Sequence, residues 1–300
     1  MAQAHVEQWR INSNFAPYIA AGVAILIWGA TPAATRFAVM DMDPLAAGVM
    51  RTLVAGALAV PFMFNAKIKR PHGHRQWFAL LVTSLCGFVG FTLLFSLGVK
   101  MTSASHSALM NAAVPLFSGL FGVIAIRKAP HAKWFLGMAV SFAGVVYLIL
   151  SKVNGGATPS LTGDLLCLMS SMLVGLGYVS GSRLSAHIGT LSVTVWGVFV
   201  ASLIQLPLIF VLWDVQDVLA VSPTGWAAIG FLSLGATLIA YVAWYWGLAK
   251  GGVVRIAPMQ FLMPIISLSL AVSVFGESLT VSLMLAAVMI VVGVALSRKG

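Results

Sequence analysis

Ten apolar runs, each close to the length that crosses a bilayer, constrain this chain more than any other feature. They fall at 17–37, 44–64, 77–98, 103–126, 133–151, 162–183, 190–212, 225–248, 253–275 and 279–297. A helix needs about 20 apolar residues to cross the hydrocarbon. In lipid each backbone N–H and C=O must be satisfied internally, so helices are the expected form. A transmembrane β-barrel would alternate apolar and polar residues, and these runs do not. Of the 300 residues 60% are hydrophobic and 8% charged, where soluble domains carry roughly 25% charged. The expected fold is therefore an all-α polytopic membrane protein with ten transmembrane helices. Residues 1–16 are polar, and the run after them exceeds the apolar core of a signal peptide, about 7–15 residues, so it is expected to stay as the first span.

Lysine and arginine set the expected orientation. Arg10, the cluster Lys67, Lys69, Arg70 and Arg75, then Arg127, Lys128, Lys133, Arg183, Lys250, Arg255, Arg298 and Lys299 fall on one side, thirteen of the 17 basic residues. Arg36, Lys100 and Lys152 fall on the other, and Arg51 lies within a span. The positive-inside rule then puts both termini in the cytoplasm. Asp41, Asp43, Asp214, Asp217 and Glu277 lie on the outer side, with Asp164 close to it. Trp77, Trp134, Trp213 and Trp226 sit at span ends, as an interfacial aromatic belt requires.

A repeat runs through the chain. At a shift of 149 residues Gly98 meets Gly247, Asn111 meets Gln260, Pro115 meets Pro264, Ser118 meets Ser267, Trp77 meets Trp226 and Gly144 meets Gly293. Spans two and seven align at a shift of 146, Pro61 on Pro207, and spans one and six at 147, Arg36 on Arg183. The halves are read as 1–151 and 152–300. Five spans per half is an odd number, so the second half must enter the membrane upside down. Inverted-topology repeats mark secondary transporters, with the site near the midplane between them.

Several classes drop out. The net charge of +10 sits in short gaps between spans, so no nucleic-acid partner is expected. Cys86 and Cys167 are isolated in apolar runs, and His72 and His74 lack further ligands, so neither a metal nor another cofactor is expected. Without a P-loop, an HExxH or a nucleophile elbow there is no sign of ATP drive or of an enzyme. The expected partners are a small-molecule substrate and the bilayer; oligomeric state is open.

The polar residues inside the spans are the site candidates. Asn111 and Gln260, each four residues before a repeat proline, either bind the polar end of a substrate or hold helices together. Pro32, Pro115, Pro258 and Pro264 are bending points for alternating access or fixed kinks. Arg51, about 10 Å below the outer surface at about 1.5 Å per residue, pairs with Asp41, Asp43 or headgroups, or meets a substrate carboxylate. His106, whose repeat mate is Arg255, either joins Arg51 or acts as a proton switch, or is merely solvated. Tyr178, Tyr241 and Trp28 stack flat apolar substrates or pack the bundle. Gly87 and Gly90 offer close helix approach. No Asp or Glu lies at the centre of a span, which weighs against obligatory proton coupling and leaves facilitated diffusion open.

Trp28–Gly29 with Arg36, Arg51 with Ala55 and Leu58, TSASHSALMNAAVPLFSGLF from Thr102, and AKGGVVRIAPMQFLMPIISLSLAVSVFGESLT from Ala249 resemble the drug/metabolite transporter superfamily, in its EamA-type ten-helix branch. Gly276–Glu277 keeps the family's Gly-Glu after the ninth helix, whereas the first repeat has Arg127–Lys128. The resemblance spans the chain and is closest to the bacterial aromatic amino acid exporters. It implies an inner-membrane carrier exporting small amphipathic metabolites, such as aromatic or neutral amino acids, by alternating access. Two other readings stay open: a multidrug exporter of lipophilic cations, and a non-transporting membrane assembly subunit.

Overall fold

The structure is a computed structural model that describes residues 15–126, 132–150, 160–212, 219–251, 259, 260 and 262–297. Helix α1 runs as Ala16–Gly29 and Thr31–Asp41, α2 as Pro44–Met63, and α3 as Gly73–Val82, a π-helical Thr83–Gly90 and Phe91–Met101. Helix α4 runs as Ala104–Asn111 and Val114–Ile126, followed by α5 (Ala132–Leu150), α6 (Leu161–Ile188) and α7 (Thr190–Leu212). Helix α8 comprises Pro223–Gly230, a second π-helical stretch Phe231–Ile239 and Ala240–Gly251; α9 is Leu262–Phe275 and α10 is Val281–Ser297.

Eight of these, α1 to α8, are long and apolar enough to cross a membrane. The last two are shorter. Helices α9 and α10 have 14 and 17 residues, roughly 21 and 26 Å at about 1.5 Å per residue, against a hydrocarbon core of about 30 Å. The structure thus describes a polytopic membrane protein with eight full-length spans and two shorter apolar helices.

Local chemistry sets where helices begin. The carboxylate of Asp43 accepts from the backbone N–H groups of Leu45 and Ala46 at 2.9 and 3.0 Å, and Pro44 fills the first helical position, where an N–H is not needed. Ser103, Ser160 and Ser222 each accept from the N–H three residues on, starting α4, α6 and α8. The π-helical stretches lie at matching places in α3 and α8. Runs this long are rare, because the wider turn loses packing unless neighbouring helices hold it. Here Ser84 donates to the carbonyl of Gly197 on α7, and Ser233 donates to the carbonyl of Arg51 on α2, both at 3.0 Å.

The helices pack in a reciprocal pattern. Helix α3 lies along α6 and α8 along α1, while α2 pairs with α7 and α5 with α10. Several crossings are close enough to need glycine, and two are the tightest against backbone. A Cβ on Gly177 of α6 would lie 2.6 Å from the backbone of Gly87 on α3. On α10 a Cβ on Gly293 would lie 2.4 Å from the backbone nitrogen of Ser141 on α5, whose hydroxyl donates to the carbonyl of Ile290 at 3.1 Å. Lipid is as apolar as a helix surface, so contact of this kind, more than the hydrophobic effect, holds such helices together. The outward faces stay apolar: Phe78 is 68% exposed and Val288 58%, a surface only lipid would cover at no cost.

Candidate functional site

A cavity opens between the helices, walled by parts of α1, α2, α3, α4, α6, α8, α9 and α10. Its volume is about 90 Å³, where one water needs roughly 10–15 Å³. It therefore has room for a small organic molecule. Asn111, Gln260, Tyr178, Tyr241, Trp28, Arg51, Pro115 and Pro264 all line it. These residues span more than two hundred positions of sequence and meet in one place.

A break in α4 and the approach to α9 supply the amide groups. Helix α4 stops at Asn111 and resumes at Val114, with Pro115 in the new first turn. Proline has no N–H to return to the carbonyl four residues back, which is that of Asn111. Gln260 stands just ahead of α9, with Pro264 in its first turn. Asn111 therefore sits where regular winding gives out. Pro258, also expected at a bending point, lies outside the described residues, as do Arg255, Arg127 and Lys128. Pro32 is buried in the first turn of Thr31–Asp41 and is not part of the cavity wall.

The aromatic wall is ordered by its own contacts. The indole N–H of Trp28 donates to the carbonyl of Ala236 at 3.0 Å, which leaves its faces, not its polar atom, for a ligand. Tyr241 meets Trp28 edge-on, with ring centroids 5.2 Å apart, a favoured aromatic geometry. The hydroxyl of Tyr241 donates to that of Tyr178 at 3.2 Å. A second, smaller cavity lies beyond this tyrosine pair and reaches Ser185 and Thr190. The pair stands between the two spaces.

Arg51 carries the cavity's charge. It is 7% exposed, and its guanidinium lies 5.5 Å over the ring of Phe91 and donates from Nε to the Thr237 hydroxyl at 3.4 Å. The pairing with Asp41 or Asp43 weighed from the sequence does not occur: Asp41 accepts from Ser222, and Asp43 caps its own helix. Among the described residues no carboxylate forms an ion pair with Arg51.

His106 does not join Arg51, and it is not solvated. At about 100° per residue, five residues turn the helix by about 140°, so Asn111 and His106 face different ways along α4. His106 is 2% exposed, and its Nδ1 lies 2.8 Å from a carboxylate oxygen of Asp164 on α6. The sequence reading missed that pair. It also missed Ser118, Thr31, Phe91 and the α10 face at Ile290, Val291 and Val294, all on the cavity wall. Ser118 alone carried a signal, its alignment with Ser267. The two have different roles: Ser118 donates to the carbonyl of Pro115, and Ser267 donates across to Gly29 on α1.

The model of the EamA-like transporter family matches residues 16–150 and again 161–298. An "Uncharacterized transporter YdeK" of Bacillus subtilis is 30% identical over 96% of this chain and 99% of its own length. A "Probable amino-acid metabolite efflux pump" of Escherichia coli is 24% identical over 93% of each chain. An "Uncharacterized inner membrane transporter YedA" of the same species is 26% identical over 92% of this chain and 88% of its own. One solved crystal structure superposes with a TM-score of 0.65 at 19% identity, covering 94% of this chain and 96% of that one. That likeness speaks to the fold.

Proposed function

The chain belongs to the EamA-like transporter family, and on that premise we propose that it exports small amphipathic carboxylates, foremost aromatic and neutral amino acids, across the inner membrane by alternating access. The observation that carries this reading is Arg51: a buried cation on the cavity wall that no described carboxylate neutralises. Burying a charge without a partner is costly, and a substrate carboxylate offsets that cost. The flat side chain of the substrate then lies against Trp28 and Tyr241, and the amide oxygens of Asn111 and Gln260 accept from its ammonium group. The family match and the relative named as an amino-acid metabolite efflux pump support the substrate class.

The reciprocal helix pairs and the matched bonds from Ser84 and Ser233 support two inverted five-helix halves, 1–151 and 152–300. In such a carrier the cavity lies between the halves and each end opens in turn. Pro115 and Pro264 are the bending points in this scheme, and the Tyr178–Tyr241 pair closes the path toward the predicted inner end. Both termini are placed in the cytoplasm, following the lysine and arginine count.

A multidrug exporter of lipophilic cations fits less well, because a fixed positive charge in the cavity repels its cargo. Uptake of labelled tryptophan, threonine and methyl viologen into proteoliposomes tests the reading, for wild type and Arg51→Gln. Saturable amino acid flux that Arg51→Gln slows is the expected result. Flux of methyl viologen alone, undiminished in the variant, overturns it.

A further inference from the structure

We propose that the connection between α2 and α3 is a binding site for the headgroup of an anionic phospholipid, with Arg70 and Arg75 holding its phosphate. Four of the nine residues from Lys67 to Arg75 are basic, and no Asp or Glu occurs between Asp43 and Asp164. The positive-inside rule accounts for the sign of that charge, and an untied loop would satisfy it equally. This connection is instead tied down. The side chain of Asn65 accepts from the N–H of Lys67, and that of Gln76 from the N–H of His72, at 3.0 and 2.8 Å. The N–H of Lys69 donates to the Ser192 hydroxyl of α7 at 3.0 Å. Ile68 and Pro71 are buried, Ile68 in a cluster with Leu184, Ile188 and Val193, while the four basic residues are exposed.

Arg70 is the best placed of the four. Its guanidinium lies 5.5 Å over the ring of Trp196 on α7. Trp196 is buried and meets Trp77 edge-on, with ring centroids 5.9 Å apart. The indole N–H of Trp196 has no hydrogen-bond partner among the described residues, so ring contacts hold it. Seating on a ring fixes a guanidinium and leaves its N–H groups for a phosphate, which they match two at a time. No counter-charge is at hand within the described protein. All four described carboxylates stand at the other end of these helices. Asp41 and Asp43 precede α2, whose 20 residues span about 30 Å. Asp164 and Glu277 bind at Thr102, Ala104 and Ser105, past the far end of α3. Such separations exceed the Debye length at physiological salt, about 8 Å, several times over. A lipid supplies the missing anion together with apolar chains, and exposed Phe62, Phe64 and Phe78 flank the basic residues in the chain to meet those chains. The connection packs on the α6–α7 turn, where Ser185, Thr190 and Val193 line the smaller cavity. A headgroup seated there braces that end of the bundle.

The test uses the full-length protein and needs no transported substrate. Protein in a neutral detergent is titrated with phosphatidylglycerol, phosphatidylcholine or inorganic phosphate. Bound lipid is counted by native mass spectrometry, and the unfolding temperature is followed alongside. Phosphatidylglycerol is expected to bind at least about tenfold more tightly than phosphatidylcholine and to raise the unfolding temperature. Arg70→Gln should weaken phosphatidylglycerol binding about tenfold, as loss of a charge-assisted hydrogen bond does. Arg70→Lys should weaken it comparably, because it keeps the charge without the planar fork. Lys133→Gln, which removes an exposed charge at the start of α5, should leave it unchanged. Equal binding of the two lipids, full binding by Arg70→Lys, or equal losses in Lys133→Gln and Arg70→Gln overturns the proposal in favour of diffuse charge. An equal rise in unfolding temperature with inorganic phosphate overturns the lipid as the ligand. If Arg70→Gln does not fold, judged by gel filtration, Arg75→Gln takes its place with the same expectation. Amino acid flux without a lipid preference removes the site and keeps the carrier; a lipid preference without flux does the reverse.

Discussion

Arg51 on the cavity wall and Asp164 beside the α3–α4 turn are both buried charges, 7% and 2% exposed, yet their surroundings differ. Asp164 has both oxygens occupied, by Thr102 and by His106. Among the described residues Arg51 has one long bond to a threonine and a ring beneath it. The protein completes the first charge from its own residues and leaves the second incomplete. A charge that the fold completes holds helices together, whereas one left short of an anion is free to take it from a ligand.

Substitutions at each site separate the two roles. The largest effect is expected from Asp164→Ala, which strands a buried hydroxyl and an imidazole. Breaking a buried pair on one side costs about 3–5 kcal/mol, so the variant should melt well below wild type in a detergent thermal-shift assay. Arg51→Gln should behave oppositely, with an unfolding temperature unchanged or raised. It should nevertheless lose roughly tenfold or more in amino acid uptake, given about 1.5–3 kcal/mol for a hydrogen bond to a charged group and 1.4 kcal/mol per factor of ten. An Arg51→Gln protein that melts as early as Asp164→Ala would erase the distinction.

Smaller effects sharpen the picture of the cavity. Asn111→Ala and Gln260→Ala should each raise the half-saturation concentration about fivefold, from roughly 1 kcal/mol per neutral hydrogen bond; unchanged kinetics in both would assign the amides to helix packing. Tyr241→Phe removes the bond to Tyr178 and keeps the ring. It should change transport by about two- to twelvefold, at about 0.5–1.5 kcal/mol for the bond, with substrate affinity retained. A large affinity loss there would put the hydroxyl on the substrate instead of between the two cavities.

Much of the fold was legible because hydropathy is local. The run at 190–212 is the helix Thr190–Leu212, and the run at 44–64 is Pro44–Met63. Asn111, Gln260 and the repeat prolines stood out for the same reason, as polar or helix-breaking residues inside apolar stretches. The π-helical stretches left no such mark, because neighbouring helices hold the wider turn through Ser84 and Ser233. The cavity faces of α3 and α10, at Phe91 and Ile290, look in sequence like any other apolar position.

The sequence by itself determined that this chain is a helical membrane protein, where most of its helices start and stop, and which side chains are out of place in lipid. Those follow from the cost of burying polar groups, which each segment meets alone. Only the tertiary structure decided what those side chains touch: that Arg51 meets no described carboxylate, that His106 turns from the cavity toward Asp164, and that Tyr241 bonds to Tyr178. The partners lie 58 and 63 positions apart in the last two cases. Which of several polar residues meet is set by how helices are rotated and crossed, and that depends on every contact at once.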